Sequence, residues 1–348
     1  MVPLVDLSRR GLRFADAFAA AARAIAESGQ FLFGGELAAL EVGLASFVGT
    51  SHVAAVSSGA SALQLGLAAL GVGPGDEVIV PAFTAVPTAS AVAVLGAAPV
   101  FVDVDPATAC LDGDRVDAAV TPLTKAIVVV HLYGYPAPLP ETSLPVVQDA
   151  AQAQGAIEGA TTGSFTAYSF YPTKTHGGIG DGGAVATDDP DIDNRVRLLR
   201  THGMTQQYVH EAVSQNHRMS EIEAAWLNLT LPSLREDVDR RRHIAARYRE
   251  AAPHLRWQAE HDLHAHHLCV FRTRDRHATV EQLRRAGVAS AVHYPVALPD
   301  QPAYRGWATA PCPEATSWAR ECLSVPCFPE MTDAEIVQVV TALRQVAA

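Results

Sequence analysis

The sequence predicts an α/β protein with a mostly parallel central sheet flanked by helices and a smaller C-terminal α/β domain. The first observation is that short β-branched runs alternate with alanine-rich helical stretches from residue 53 to about residue 187. Several of these runs are continuously apolar, which is typical of strands covered on both faces. The second is that consecutive helical patterns replace this alternation beyond residue 188. A chain of 348 residues accommodates two domains, which we place at residues 1–240 and 241–348.

The elements of the first domain follow from periodicity and from the residues that end each run. Helices are predicted over 60–70 and 85–95, because Gly71 and Gly96 stand where the helical patterns stop. Strands are predicted over 77–81, 100–104, 126–131, 146–148, 166–170 and 184–187. Strands and helices that alternate in this way form a mostly parallel sheet.

The later part of the chain predicts successive helices and then a mixed unit. Helices are predicted over 192–200, 219–231, 234–251, 279–286, 313–321 and 332–346, and strands over 268–272 and 290–293. In the helix over 234–251, carboxylates stand four residues before Arg240 and Arg241. This spacing predicts that Arg240, Arg241 and Arg242 form a solvated, salt-bridged helix face.

Composition excludes several classes of function. A formal net charge of −11 argues against a nucleic-acid partner. We expect no membrane span, because the longest apolar run is well short of the roughly 20 residues that one requires. The N-terminal residues lack the basic and apolar regions of a signal peptide. Five cysteines without a CxxC pair indicate free thiols, so we expect a cytoplasmic protein.

Lys174 lies in the most informative stretch of the chain. It follows the predicted strand over 166–170 in a short polar turn, and residues 177–183 are rich in glycine. Glycine allows the backbone to approach a ligand closely. A lysine amine in such a place can form a Schiff base, which a pyridoxal phosphate (PLP) enzyme requires. One lysine near glycines is compatible with many roles, so the interpretation depends on the rest of the chain.

Three further segments supply features that a phosphorylated aromatic cofactor needs. Residues 57–61 begin a predicted helix whose free N–H groups can receive a phosphate, although an ordinary serine cap is the alternative. Asp149 follows an apolar strand and can hold a pyridine nitrogen protonated, although it can equally cap a helix. Phe83 follows another strand and either stacks on a flat cofactor or belongs to the core.

The order of these segments is that of fold-type I PLP-dependent transferases, with a phosphate loop, a strand-end aspartate and a lysine 25 residues further on. Residues 57–105, 148–153, 169–185 and 216–225 resemble the nucleotide-sugar aminotransferases of the DegT/DnrJ/StrS family. The resemblance extends over nearly the whole chain. It implies that the protein is a PLP-dependent aminotransferase with the fold-type I architecture.

The resemblance also implies a role for each matching residue. Lys174 is then the Schiff-base lysine that moves the proton, and Asp149 is the partner of the pyridine nitrogen. The other implied cofactor contacts are Gly59, Ala60, Ser61 and Ser169 at the phosphate, Phe83 on the ring face, Gln152 at the ring hydroxyl, and Asn216 at the phosphate of a neighbouring subunit's cofactor. The last contact implies a homodimer with shared active sites.

The implied substrates are L-glutamate or L-glutamine as amino donor and a keto sugar nucleotide as acceptor. Residues 180–183, Gly-Asp-Gly-Gly, are most similar to members that act at C3 of a dTDP-3-keto-6-deoxyhexose. C4-specific nucleotide-sugar and keto-cyclitol aminotransferases are the alternatives. Arg218, His293 and Tyr294 are the candidate substrate contacts. The chain departs from the family at Ala60, which replaces a hydroxyl residue, and at Pro299, which replaces a histidine.

Other patterns have competing interpretations. Residues 178–183 satisfy G-x-G-x-x-G, but a dinucleotide fingerprint opens a helix and here a strand is predicted to follow. Four histidines, His261, His264, His266 and His267, suggest a metal, but strand alternation places the last two on opposite faces, so we expect no metal site. A dehydratase of the same fold has a histidine in place of Lys174, and a non-catalytic regulatory relative has no need of Lys174 and Asp149. The presence of both residues favours the aminotransferase.

Overall fold

A seven-stranded sheet is the largest element of the computed structural model, which describes residues 1–156 and 163–347. Its strands are β1 (His52–Val56), β2 (Glu77–Pro81), β3 (Ala98–Val102), β4 (Thr124–Val130), β5 (Val146–Asp149), β6 (Phe165–Ser169) and β7 (Gly183–Thr187). Their order is β1-β7-β6-β5-β4-β2-β3. β7 runs antiparallel to both of its neighbours, and the other pairs in this sheet are parallel. The mostly parallel sheet predicted from the sequence is confirmed.

Both faces of this sheet are buried. Three strands, β1, β6 and β7, contribute side chains to two hydrophobic cores. In β1, Ala54 and Val56 pack into one core, whereas Val53 and Ala55 pack into the core on the opposite face. Successive side chains of a strand point to opposite faces. An apolar residue at every position therefore requires a covering layer on each side of the sheet.

Helices form these two layers. They are α1 (Leu7–Ser28), α2 (Gly35–Val48), α3 (Gly59–Ala69), α4 (Val86–Ala93), α5 (Val116–Ala119), α6 (Pro190–Leu199) and α7 (Glu221–Thr230). α3 packs against β6 and β7, while α1 and α2 both pack against α7. An exposed hairpin of two short strands, β8 (Met204–Gln206) and β9 (Val209–His210), lies between α6 and α7.

The C-terminal part forms a second, smaller α/β unit. It contains α8 (Leu234–Ala251), β10 (Arg256–Trp257), β11 (Cys269–Arg272), α9 (Arg276–Arg285), α10 (Pro313–Glu321), β12 (Cys322–Val325) and α11 (Asp333–Leu343). The three strands form an antiparallel sheet in the order β10-β11-β12. Val2 packs into the core of this unit and α8 crosses residue 240, so the division at that residue stays a prediction.

The strand predicted over residues 290–293 is wrong. Only Ala291 forms a bridge, to Ser324 of β12. The carbonyl of His293 instead accepts a hydrogen bond from the hydroxyl of Tyr133. The segment therefore joins the two units rather than extending the small sheet. No helix in residues 1–156 or 163–347 is long and apolar enough to cross a membrane.

Candidate active site

A cavity of about 430 Å³ lies at the carboxyl edge of the large sheet. Ligands bind at this edge in open α/β sheets, where the loops that follow the parallel strands meet. Its walls include Ser58 after β1, Thr84 after β2, and Val130, Asp149 and Ser169 at the ends of β4, β5 and β6. The other predicted site residues that line it are Gly59, Ala60, Gln152, Lys174, His293 and Tyr294.

Asp149 presents a buried carboxyl group to the cavity. Its side chain accepts a hydrogen bond from the hydroxyl of Thr88 at 2.9 Å and another from the backbone N–H of Ala151 at 3.1 Å. Burial raises the pKa of Asp149, whereas these two hydrogen bonds and the charge of Lys174 oppose the rise. Thr88, which the sequence analysis does not identify, therefore orients the carboxylate.

Lys174 lies in the loop that joins β6 to β7. The loop is closed by the pairing of Ser169 with Gly183, and the N–H of Lys174 donates to the carbonyl of Tyr171 at 2.8 Å. Burial lowers the pKa of the Lys174 amine to about 8, although the charge of Asp149 opposes this change. At neutral pH a fraction of the amine is consequently neutral and able to accept a proton.

The N-terminus of α3 packs tightly against the ends of β6 and β7. A Cβ atom on Gly59 would lie 2.6 Å from the Cβ of Ser169, and one on Gly183 would lie 2.3 Å from the carbonyl oxygen of Ser58. Only glycine permits these approaches. They hold the free N–H groups of the helix at the wall of the cavity, in the position that suits an anion.

Ser61 is turned away from this wall. Its hydroxyl lies 3.0 Å from each of the hydroxyls of Ser57 and Ser58 and 2.9 Å from Nδ1 of His217, and it does not line the cavity. Its backbone N–H donates to the Ser58 hydroxyl at 3.0 Å, which makes Ser58 the helix cap. Ala60 does line the cavity, so the backbone and Ser58 are the polar groups available there.

Gln152, Tyr294 and His293 form the side of the cavity nearest the small unit. The Gln152 side chain accepts from the backbone N–H of Tyr133 at 2.5 Å and donates to the hydroxyl of Tyr294 at 3.0 Å. Nδ1 of His293 lies 2.9 Å from the hydroxyl of Ser324. These bonds fix three predicted site residues in one network.

Besides Ser61, three predicted residues do not line the cavity in the single chain. Phe83 is fully buried and stacks on Trp318, with ring centroids 6.2 Å apart, so its placement does not favour contact with a cofactor ring. Asn216 is exposed and accepts a hydrogen bond from Nε of Arg218 at 2.9 Å. Neither Asn216 nor Arg218 lines the cavity.

Arg241 is the residue for which the sequence prediction is wrong. The side chains of Arg240 and Arg242 pair with Asp333 and Asp239 near the surface, but Arg241 is only 2% exposed and lines the cavity. The reason is helical periodicity. The buried positions of α8 are Leu234, Val238, Arg241, Ile244, Ala245 and Tyr248. This spacing, rather than the i,i+4 charge pattern, is the signal that identifies Arg241.

The structure also places the glycine-rich segment and the histidine cluster for which the sequence leaves competing interpretations. The loop over residues 178–182 runs into β7, a strand, rather than into a helix. The rings of His264 and His266 stack 3.8 Å apart, and burial lowers the pKa of His266 to about 3. Among the residues that the structure describes, no group of three or more histidine, cysteine or acidic side chains is placed to hold a metal ion.

The residues at the cavity fit PLP. Lys174 offers an amine for the aldehyde, Asp149 a buried carboxyl for the pyridine nitrogen, and α3 a helix N-terminus for the phosphate. The model of the DegT/DnrJ/EryC1/StrS aminotransferase family matches residues 13–344. The chain belongs to this family. It is therefore a PLP-dependent aminotransferase.

Individual relatives agree with this assignment over their full length. The chain is 38% identical to the UDP-N-acetyl-3-dehydro-alpha-D-glucosamine 3-aminotransferase of Acidithiobacillus ferrooxidans, over 99% of the chain and 97% of the relative. It is 39% identical to the dTDP-3-amino-3,4,6-trideoxy-alpha-D-glucose transaminase of Streptomyces venezuelae, over 99% and 96%. A crystal structure of S. venezuelae DesV in complex with a ketimine intermediate superposes with a TM-score of 0.94 at 37% identity, over 99% of this chain and 98% of that one. The fold-type I architecture predicted from the sequence is confirmed.

Proposed function

We propose that this aminotransferase moves an amino group from L-glutamate, or from L-glutamine, to the keto group of a nucleotide sugar. Both relatives described above carry names of 3-amino sugar nucleotide enzymes, and Asp181 stands in the Gly-Asp-Gly-Gly segment that predicts action at C3. A dTDP-3-keto-6-deoxyhexose is therefore the first acceptor to test. C4-keto nucleotide sugars and keto-cyclitols are the alternatives.

The observation that carries the proposal is that Lys174 and Asp149 line one cavity with the N-terminus of α3. When bound, PLP supplies an electron sink for the pair of electrons left at the Cα of the donor. Asp149 holds the pyridine nitrogen in its protonated form, and Thr88 holds Asp149. Lys174 carries the cofactor and then moves a proton to and from the reacting carbon, for which a pKa of about 8 is suited.

The remaining contacts are proposed from the same arrangement. The backbone at Gly59 and Ala60, together with Ser169, binds the phosphate, and Gln152 donates to the ring hydroxyl. His293 and Tyr294 contact the substrate from the side of the small unit. Ser61 supports the phosphate segment through its hydrogen bonds and does not contact the cofactor directly.

We further propose a homodimer in which Asn216 reaches the phosphate of the neighbouring subunit's cofactor. In the single chain Asn216 is exposed and does not line its own cavity. The hairpin and the segment between it and Asn216 also expose apolar side chains, among them Tyr208 and Val213, which are 84% and 103% exposed. A second subunit would cover this surface. The buried, free thiols of all five cysteines support a cytoplasmic location.

The test is to add L-glutamate to the purified holoenzyme and to follow the visible absorbance of the cofactor. Loss of this absorbance with L-glutamate or L-glutamine, and its recovery with a keto sugar nucleotide, is the expected result. Lys174→Ala, which is expected to fold, should not turn over. If no amino donor changes the absorbance of the wild-type protein, the chain is a dehydratase-like or regulatory relative instead. Light scattering measures the homodimer separately.

A further inference from the structure

Arg241 forms a buried cationic wall of the active-site cavity. Its Nη1 donates to the carbonyl of Cys327 and, at 3.4 Å, to that of His266. Its Nε is buried and has no hydrogen-bond partner. Arg241 forms no ion pair with any carboxylate in the described residues. A buried guanidinium in this state is costly unless a ligand supplies the missing acceptor.

Asp237 and Glu330 attract Arg241 through space, but each lies closer to another arginine. Asp237 pairs with Arg13 at 3.4 Å, and Glu330 lies 4.0 Å from Arg10. These two carboxylates and three arginines leave one positive charge without a partner. Lys174 and Asp149 line the same cavity with opposite charges that offset each other, so Arg241 is the group that favours an anion there.

The walls around Arg241 indicate which anion fits. Leu4, Val5 and Val325 line the cavity and offer apolar contact to a short methylene chain. A nucleotide sugar is a large ligand that needs an opening to solvent. The exposed lining residues are Pro87 of α4 and, on the loop of Lys174, Tyr171 and Asp181. The sugar nucleotide is therefore expected at that opening, and the smaller donor is left for the buried wall.

We propose that Arg241 binds a carboxylate group of the amino-acid donor. The proposal rests on the transaminase function proposed above, and it assigns the donor site to a residue of α8 rather than to Arg218. The planar fork of the guanidinium matches a carboxylate with two parallel hydrogen bonds. Nε is one arm of this fork, and it is the atom that has no partner in the chain.

The test uses glutarate, a dicarboxylate without an amine, and measures its binding to the holoenzyme by calorimetry. Arg241→Gln is expected to weaken binding by about 10- to 100-fold, which is the range of a charge-assisted hydrogen bond. Arg240→Gln is the matched control, because Arg240 is the adjacent residue and pairs with Asp333 at the surface. Its glutarate affinity should equal that of the wild type.

A second probe separates carboxylate binding from a structural role. Butylamine is an amine without a carboxylate, and the change that it causes in the cofactor's visible absorbance should be the same in Arg241→Gln as in the wild type. Unchanged glutarate affinity, or an equal loss of the butylamine reaction, would overturn the proposal. If Arg241→Gln does not retain the cofactor, the variant Arg241→Lys tests whether Arg241 binds the carboxylate. It keeps the charge but not the fork, so glutarate should bind about 3- to 10-fold more weakly and butylamine should react normally; wild-type glutarate affinity in this variant also overturns the proposal.

Failure of the proposed function has a different signature. In that case L-glutamate does not discharge the wild-type holoenzyme, whatever the glutarate affinity of the variants. Failure of the donor site alone leaves wild-type turnover intact and the glutarate affinity independent of Arg241.

Discussion

Replacement of Lys174 by methionine should stabilise the cofactor-free protein at neutral pH, and the gain should disappear in alkali. In the folded chain the pKa of Lys174 is about 8, compared with an ordinary value of 10.5. Each pKa unit corresponds to about 1.4 kcal/mol. Burial of the charged amine therefore lowers the free energy of unfolding by about 3 kcal/mol, and methionine removes this cost while it fills a similar volume.

The pH dependence follows from the sign of the shift. Below pH 8 the amine is charged in both the folded and the unfolded chain, so the cost is fully present. Between pH 8 and 10.5 the unfolded state binds more protons than the folded state, and the stability of the wild type rises with pH. Above this window the amine is neutral in both states and the cost is absent.

Urea unfolding of the two cofactor-free proteins, at pH values from about 7 to about 10, measures this difference. The control is Lys125→Met, because Lys125 is the other lysine of the chain and is exposed. Its difference from the wild type should not change with pH. If the free energy of unfolding of Lys174→Met differs from that of the wild type by the same amount at every pH, the reasoning is refuted.

Four further changes test the site and its supports. Asp149→Asn should slow the half-reaction with L-glutamate by about 100-fold or more, because it removes the charge of the carboxylate. Thr88→Val should slow it by about 10-fold, because it removes only the hydrogen bond that orients this carboxylate. Single-turnover absorbance measures both rates. Gly59→Ala should lower the free energy of unfolding by about 1–3 kcal/mol and weaken PLP binding, whereas Gly73→Ala, whose added Cβ meets no atom within 4 Å, should do neither. Glu223 of α7 accepts a hydrogen bond from the N–H of Gly180 in the lysine loop at 2.8 Å, and burial raises its pKa to about 7 from 4.5. The wild type should therefore lose about 2–3 kcal/mol of stability relative to Glu223→Gln as the pH rises through this window, which thermal unfolding measures. A difference that does not change with pH would contradict the raised pKa.

The sequence predicts most strands of the large sheet well because each is a short, mostly apolar run, and most of these runs end beside a polar residue. It does not predict β1, since two of the five residues of His52–Val56 are alanines, which favour helices as much as strands. Its pairing with β7 is a long-range contact without a local signal. The strand predicted over residues 290–293 fails for a related reason, because Tyr133, whose hydroxyl donates to the carbonyl of His293, lies 160 residues away in sequence.

The residues of the candidate site likewise divide into those that the sequence predicts and those that it does not. Lys174 and Asp149 are predictable because Asp149 ends β5 and Lys174 lies in the short turn after β6, both at the same edge of the sheet. Arg241 is not predicted, because the charge pattern of a surface helix outweighs the spacing of the apolar residues that place it on the buried face of α8. The role proposed for Asn216 depends on a second subunit, which one chain does not contain.

The pairing of Ser169 with Gly183 restricts how this protein can change in length. A slip of one residue between β6 and β7 would reverse the face to which every later side chain points. Gly183 would then leave the carbonyl of Ser58, and a residue with a Cβ would take its place. Insertions should therefore be absent from functional variants near the ends of the lysine loop, while the exposed β8–β9 hairpin tolerates them. A random-insertion library would show the catalytic loop as a gap in the map of accepted positions.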